Sequence, residues 1–147
     1  MSNHKIKNIF VEGAINPTFI ADSIAKHSNK TEIGGHSIFL GQVREDEVEG
    51  KNVSAIEYTA FQELALEQMH QIRADIFLKY PLSCMHIYQS LGVVKTGEIC
   101  LFVFTSSAHR KPAIDACEEV VERLKAELPI WGKEIFEDGT HQWKENK

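Results

Sequence analysis

The chain has few cysteines, and they lack the spacing of a disulfide framework or a zinc site. Cys84, Cys100 and Cys117 are odd in number and contain no Cys-x-x-Cys pair. An odd, scattered set argues against both kinds of site. Each cysteine falls in an apolar segment, where a free thiol usually packs as a small hydrophobic group. We therefore expect buried, inert thiols, no metal site and no cofactor.

Long apolar runs and an excess of basic residues are also missing. No stretch approaches the roughly 20 apolar residues of a membrane-spanning helix, and the opening MSNHKIKNIF lacks the apolar segment of a signal peptide. A formal net charge of −5 does not fit the broad basic face of a nucleic-acid or membrane-surface binder. We expect a cytoplasmic protein with no nucleic-acid or membrane partner, in which any anion site is local.

Widely shared catalytic motifs do not occur. The sequence contains no Walker loop, GxGxxG, HExxH or GxSxG motif. A small phosphoesterase is disfavoured as well, because the sequence shows no cluster of metal ligands.

What the sequence does contain is enough apolar material for one core. It has 147 residues, of which 43% are hydrophobic, and no Pro/Gly/Ser linker divides it, so we predict a single domain over residues 1–147. Apolar periodicity predicts helices from Asn16-Pro17, over 61–80 and from Pro112 to Leu128. Alternation and apolar runs predict strands over 36–43, 52–58, 84–90 and 98–106. This mixture is typical of an α+β domain with a mainly antiparallel sheet.

Details of packing follow from the same patterns. The first helix is expected to bury Phe19, Ile20 and Ile24, and the strand EICLFVFTSS is apolar enough to be central. The acidic run before Gly50 predicts a solvated, mobile loop, and residues 92–97 predict a turn.

Cations are gathered around the predicted third helix, which is unusual in an acidic chain. His109 and Arg110 precede Pro112, where free helix amides and the helix dipole favour an anion. A capping or core histidine is an equally good interpretation. Arg44 follows Gly41 at a strand end, from which it can reach a ligand, although a surface charge closing the strand is the simpler alternative.

Lys125 is the candidate for an active amine. It lies four residues after Val121 and three before Leu128, which places it at the edge of the buried stripe of the helix. Neighbouring cations and partial desolvation would leave a fraction of the amine neutral and able to act as nucleophile or base. The alternative is a snorkelling side chain paired with Glu122.

Four segments resemble the molybdopterin synthase large (catalytic) subunit family, in order and spacing along nearly the whole chain. They are LGQVR at 40–44, SSAHR at 106–110, ERLKAELPIW at 122–131 and KEIFEDGTHQW at 133–143. The resemblance implies an α/β hammerhead-type fold and a sulfurtransferase of molybdenum-cofactor biosynthesis. The two tryptophans of these segments, Trp131 and Trp143, are interpreted as packing residues rather than as platforms for a flat ring.

The implied reaction transfers sulfur to cyclic pyranopterin monophosphate and forms the dithiolene of molybdopterin. The implied donor is a ubiquitin-like small subunit ending in a Gly-Gly thiocarboxylate, and a homodimer would bind two such subunits in a heterotetramer. By position, Lys125 and Lys133 would be catalytic. The implied substrate-binding residues are Gln42, Val43, Arg44, His109, Arg110, Lys125, Lys133 and Glu134.

One position departs from the family pattern, which commonly has lysine directly after the tryptophan of PIW. Here Gly132 follows, and Lys133 comes next. Either Lys133 takes over the role or the site has one cation fewer. A noncatalytic adaptor that binds a ubiquitin-like tail is the alternative function. Gly132 supports it, whereas the retention of Lys125 with His109 and Arg110 favours an enzyme.

Overall fold

The computed structural model describes residues 7–144, which form three helices and eight strands. Their bounds, in chain order, are β1 Phe10–Glu12, α1 Pro17–Lys26, β2 Gly35–Gln42, β3 Glu47–Val48, β4 Lys51–Ala60, α2 Gln62–Lys79, β5 Leu82–Lys95, β6 Ile99–Ser107, α3 Arg110–Glu127, β7 Ile130–Phe136 and β8 His141–Trp143. Within residues 7–144, no helix is long and apolar enough to cross a membrane.

The strands form one sheet in the order β2-β6-β5-β4-β7-β8, with β3 paired to β4. All of these pairings are antiparallel, and only the short strand β1 pairs in parallel, with β5. The predicted α+β class with a mainly antiparallel sheet is therefore confirmed. Strand β5 joins the two halves of the sheet, because its first part pairs with β6 and its last part with β4.

The core lies on both faces of β6. Leu101 and Val103 pack with the buried side chains of α2 and α3, whereas Phe102 and Phe104 pack with Ile20 of α1 on the opposite face. This alternation follows from the two-residue period of a strand. The expectation that EICLFVFTSS is a central strand is confirmed, since β6 lies between β2 and β5.

The helices begin and end close to the predicted residues, but not every apolar side chain is buried. Asn16 caps α1, accepting a hydrogen bond from the Thr18 amide over 2.8 Å. Of the three side chains expected in the core, only Ile20 is buried, while Phe19 and Ile24 are 38% and 42% exposed. The expectation for those two was wrong, because the buried face of α1 is narrower than the spacing of its apolar residues suggested.

Three other sequence expectations need correction. The acidic loop contains the strand β3, which pairs with β4. The predicted turn at 92–97 is largely strand, since β5 continues to Lys95. Strands β1, β7 and β8 were not predicted. The pairing of β7 with β4 joins residues 70 or more positions apart, so local patterns carry little of the information that fixes it.

Candidate anion-binding site

Two adjoining cavities open beside the C-terminal end of α3. Their volumes are about 140 and 730 Å³. Both are lined by Tyr58, Gln89, Leu101, Lys125 and Lys144. Strands β4, β5 and β6 thus supply the floor, and two lysines from separate parts of the chain stand over it.

Lys125 reaches these cavities because α3 buries the residues around it. Leu124 and Leu128 are buried in the core, and Lys125 lies beside them in the last turn of the helix. A cation there is favoured by the negative end of the helix dipole. The residue as a whole is exposed, so the expected half-buried lysine is corrected to an exposed one at the cavity wall.

Arg44 lines the larger cavity and already holds a carboxylate. Its guanidinium donates two hydrogen bonds to Asp46, from Nε to Oδ1 over 2.9 Å and from Nη2 to Oδ2 over 3.2 Å. Its side chain is 76% exposed, so water weakens this ion pair. An incoming anion can therefore exchange for Asp46 at modest cost. Gln42 lines the same cavity.

Val43, between these two residues, has a different position. Its side chain is buried in the core, 2% exposed. Its amide donates to the Glu98 carbonyl over 3.0 Å, and its carbonyl accepts from the Gly97 amide over 2.8 Å. Val43 therefore holds the strand end in place, while Gln42 and Arg44 face the cavity.

Glu134 is a buried carboxylate in the wall of the larger cavity. It is 6% exposed, and its Oε1 accepts a long hydrogen bond of 3.4 Å from Gln142 Nε2 across the β7–β8 pair. Nearby, burial raises the pKa of the Tyr58 phenol, with a smaller contribution from Cys100. The phenol therefore stays protonated and can donate a hydrogen bond at neutral pH.

Lys133 is directed to the other face of β7. Neighbouring side chains of a strand point to opposite faces of the sheet, so the side chains of Lys133 and Glu134 lie on different faces of β7. Its Nζ is 3.1 Å from Glu57 Oε1 and 5.9 Å from the centre of the Trp143 ring. Lys133 lines neither of the two cavities.

Lys144 is the cation that sequence reasoning did not select. Its amide donates to the Gly132 carbonyl over 2.8 Å, and its side chain lines both cavities together with Lys125. The only signal in the sequence was a basic residue one position after Trp143, and the β7–β8 pairing that brings it here was not predicted.

Gly132 packs too closely to carry a side chain without adjustment. A Cβ at this position would lie 2.9 Å from Ile56 Cγ2 and 3.5 Å from Tyr58 Cε1. The family's lysine at this position would therefore require Ile56 to shift. Gly132 itself lies within a paired strand, opposite Tyr58 of β4.

His109 and Arg110 lie at the far end of α3. Arg110 and Lys125 are separated by 15 helical residues, or roughly 22 Å at 1.5 Å per residue. Ser107 Oγ accepts from the Ala113 amide over 3.1 Å, so one helix amide expected to be free is already used. Within one chain, Arg110 is therefore too distant to be one of the cations that neighbour Lys125.

Both tryptophans are exposed rather than packed in the core. Trp131 is 51% exposed and lines the smaller cavity, and Trp143 is 62% exposed and lines the larger one. The interpretation of both as packing residues was wrong, because β7 and β8 place them at the cavity walls. The site is thus a basic, aromatic-walled cavity in an α+β protein, which is suited to a flat anion.

Comparison with known proteins shows the family to which this chain belongs. The family model described as MoaE protein matches residues 15–127, and the chain belongs to that family. A Drosophila willistoni protein named molybdopterin synthase catalytic subunit is 41% identical over 116 residues, covering 78% of this chain and 31% of that protein. The chain thus spans about a third of the length of this relative.

Solved structures show the same fold. Molybdopterin synthase from Staphylococcus aureus superimposes with a TM-score of 0.81 at 29% identity, covering 97% of this chain and 99% of that one. A complex of subunits 1 and 2 of the molybdopterin-converting factor from Helicobacter pylori contains a chain with a TM-score of 0.80 at 17% identity, covering 94% and 90%. The predicted hammerhead-type fold agrees with these structures.

Proposed function

We propose that this chain is the catalytic subunit of a molybdopterin synthase. It would transfer sulfur from the C-terminal thiocarboxylate of a ubiquitin-like small subunit to cyclic pyranopterin monophosphate. Each donor carries one sulfur, so a dithiolene requires two donor chains. The observation that carries the proposal is the pair Lys125 and Lys144 at one polar cavity of a chain with net charge −5. Cytoplasmic location stays a prediction from the sequence.

The larger cavity suits the pyranopterin. Its volume of about 730 Å³ is within the range of small-molecule sites. Lys125, Lys144 and Arg44 supply charge for the cyclic phosphate, and Trp143 supplies an aromatic wall for the ring system. Glu134 and Gln142 supply oxygen acceptors and an amide donor for the polar edge of a heterocycle.

The smaller cavity suits the tail of the sulfur donor. Its walls include Leu124, Leu128, Ile130 and Trp131, and its volume is only about 140 Å³. A Gly-Gly tail has no side chains to exclude, and reaction requires its acyl carbon to come within about 3 to 3.5 Å of the attacking group. Lys125 lines both cavities, so it would face the donor and the acceptor together.

A homodimer would bring the remaining predicted residues to this site. His109 and Arg110 lie too far along α3 to reach the cavity of their own chain, so they would act in the cavity of a second copy. The edge strand β2 offers a surface for such pairing, because Ile38, Phe39 and Leu40 are 37%, 37% and 41% exposed. Exposed apolar edge strands are normally covered by a partner. Two copies with two small subunits would form the heterotetramer.

The second cation of the site would be Lys144 rather than Lys133. Lys144 lines both cavities, whereas Lys133 pairs with Glu57 on the other face of β7. Lys133 would then contribute by orienting Trp143, whose ring lies beneath its ammonium group.

Turnover with both reactants tests this function against the adaptor alternative. The full chain is incubated with thiocarboxylated small subunit and pyranopterin, and the products are analysed by mass. We expect the dithiolene product and a small subunit ending in an ordinary carboxylate. Tight binding of the small subunit with unchanged pyranopterin would establish the adaptor instead.

A further inference from the structure

We propose that His27, Cys84 and His86 form a binding site for a zinc-class divalent metal ion on the face of the sheet covered by α1. One nitrogen from each histidine and the cysteine sulfur all lie within 4.8 Å of one another. The cluster is separate from the Lys125 cavities, whose linings contain none of the three residues.

The fold brings these residues together from two elements. Cys84 and His86 are two positions apart on β5, so their side chains share one face of the sheet. His27 is the C-cap residue of α1, and its ring packs on Phe104 of that same face, with ring centres 4.8 Å apart. His27 and Cys84 are only 8% and 7% exposed, so the ligand atoms are held by packing.

The two imidazoles have the spacing that a tetrahedral ion requires. His27 Nε2 and His86 Nε2 are 3.1 Å apart. With zinc–nitrogen bonds of about 2.0 to 2.1 Å, tetrahedral ligands lie about 3.3 Å from each other. An ion can therefore bind between the two nitrogens with shifts of a few tenths of an ångström.

The orientation of His27 also favours metal binding. Its Nδ1 donates to the Ser23 carbonyl over 2.7 Å, so the lone pair of the ring is on Nε2, where it accepts from His86 Nε2. A backbone carbonyl that accepts from the second ring nitrogen is the usual support of a metal-bound histidine. His27 is thus held in the tautomer that a metal needs.

His86 must change one hydrogen bond when the ion binds. Lys7 Nζ lies 3.1 Å from His86 Nδ1, and the two histidines share one hydrogen between their Nε2 atoms. On binding, that hydrogen leaves Nε2, Nδ1 becomes the protonated nitrogen, and the Lys7 ammonium moves away. Lys7 is exposed, so this movement is not blocked. The Cys84 thiol releases its proton to solvent as the sulfur–metal bond forms.

The ligand set selects the kind of ion. Two imidazoles and one thiolate suit zinc and related transition metals, whereas Mg²⁺ and Ca²⁺ prefer oxygen ligands. Three protein ligands leave a fourth position for water. His36 lies next to His27, but it is not part of the cluster of ligand atoms within 4.8 Å of one another, and its Nδ1 is hydrogen-bonded to Ser106 Oγ over 2.7 Å.

Cobalt titration of the metal-stripped full chain tests the site, because a cobalt–thiolate bond gives a charge-transfer band in the near ultraviolet. We expect one equivalent of Co²⁺ to produce this band together with the visible bands of tetrahedral cobalt, and Zn²⁺ to abolish both. Cys84→Ala should remove the charge-transfer band. Cys117→Ala, which also deletes a buried thiol, should retain it.

Thermal unfolding gives a second measurement that does not depend on the spectrum. Zn²⁺ should raise the unfolding temperature of the unmodified chain and of Cys117→Ala, but not of His27→Gln. A folded chain that gives no thiolate band with Co²⁺, or gives the same band in Cys84→Ala, would overturn the proposal. An equal effect of Zn²⁺ on His27→Gln and on the unmodified chain would overturn it as well.

Discussion

Lys125 is the residue on which the proposed chemistry depends most, because it alone among the predicted cations lines both cavities. Gln42, Arg44 and Glu134 were also predicted from the sequence and lie at the larger cavity. Lys133 was predicted at the same site but lies on the other face of β7. The alternation of a strand separates it from Glu134, and this could not be foreseen while β7 was unpredicted.

Substitution of Lys125 tests its role directly. We expect Lys125→Ala to lower sulfur transfer by roughly 10²-fold or more, the cost of removing one preorganised charged group. The fold should be retained, because the residue is exposed. Lys26→Ala, an exposed lysine in the last turn of α1, serves as the control and should be silent. Near-normal turnover by Lys125→Ala would remove this lysine from the mechanism.

The two remaining lysines should differ in effect. Lys144→Ala should lower sulfur transfer about tenfold, since a charge-assisted contact to the substrate is worth about 1.4 kcal/mol or more. Lys133→Ala should have a smaller effect, because its ammonium pairs with Glu57 away from both cavities. Turnover of the two variants at matched protein concentration gives the comparison. A larger loss in Lys133→Ala than in Lys144→Ala would support the catalytic role that the sequence suggested for Lys133.

Gly132 should be intolerant of even a small side chain. Gly132→Ala places a Cβ 2.9 Å from Ile56 Cγ2, and such overpacking typically costs about 1 to 3 kcal/mol of unfolding free energy. Urea denaturation measures the loss. The double variant with Ile56→Ala should lose less unfolding free energy than the sum of the losses of the two single variants, because the smaller side chain relieves the clash. Strictly additive costs would show that Ile56 is not the obstacle.

Helix α3 was predicted from the sequence and β7 was not, because apolar periodicity marks a helix locally whereas a strand depends on its pairing partners. The periodic residues Val120, Val121 and Leu124 are buried as their spacing required, and Pro129 directly follows the helix end and its C-cap. Strand β7 pairs with β8, which follows it by only six to ten residues, and with β4, whose paired residues lie 70 or more positions earlier in the sequence. Helices α2 and α3 are further joined by salt bridges between charged side chains, which apolar periodicity does not reveal.

Arg123 forms ion pairs that connect those two helices, and the stability that these ion pairs contribute should depend on pH. It donates to Asp75 on α2 over 2.9 Å and to Glu127 on α3 over 2.7 Å. These hydrogen bonds hold the pKa of both carboxyl groups below their ordinary values of 3.8 and 4.5. Carboxyl groups with lowered pKa contribute stability above those ordinary values, and the contribution is lost as the pH falls through the lowered ones.

Arg123→Ala should therefore lower the unfolding temperature at pH 7 by a small amount, and the difference from the unmodified chain should shrink below about pH 4. Thermal unfolding at several pH values measures both quantities. Lys111→Ala removes an ion pair with Asp115 that lies within α3, so it is the control. A difference that stays constant down to pH 2 would show that the carboxyl groups do not carry the effect.

For the molecule as a whole, the sequence predicted the class of fold and the cations, but it did not show how they assemble. Most of the separation of Arg110 from Lys125 was already contained in the predicted helix, since the 13 residues from Pro112 to Lys125 span roughly 20 Å at 1.5 Å per residue. A single pocket holding both was therefore excluded within one chain by helix geometry alone. The metal-ligand cluster was missed for a related reason, because His27 is 57 positions from Cys84 and only the fold brings them together.

The proposed sulfur-transfer site is built from two copies of this chain, and mixed dimers test this arrangement most directly. Lys125→Ala and Arg110→Ala are co-expressed with different tags, and the dimer carrying both tags is purified. If Arg110 acts in the partner's cavity, one of the two sites receives both intact residues. We expect about half of the unmodified activity from this dimer, while each parent variant is impaired at both sites. A mixed dimer no more active than its two parents would contradict the claim.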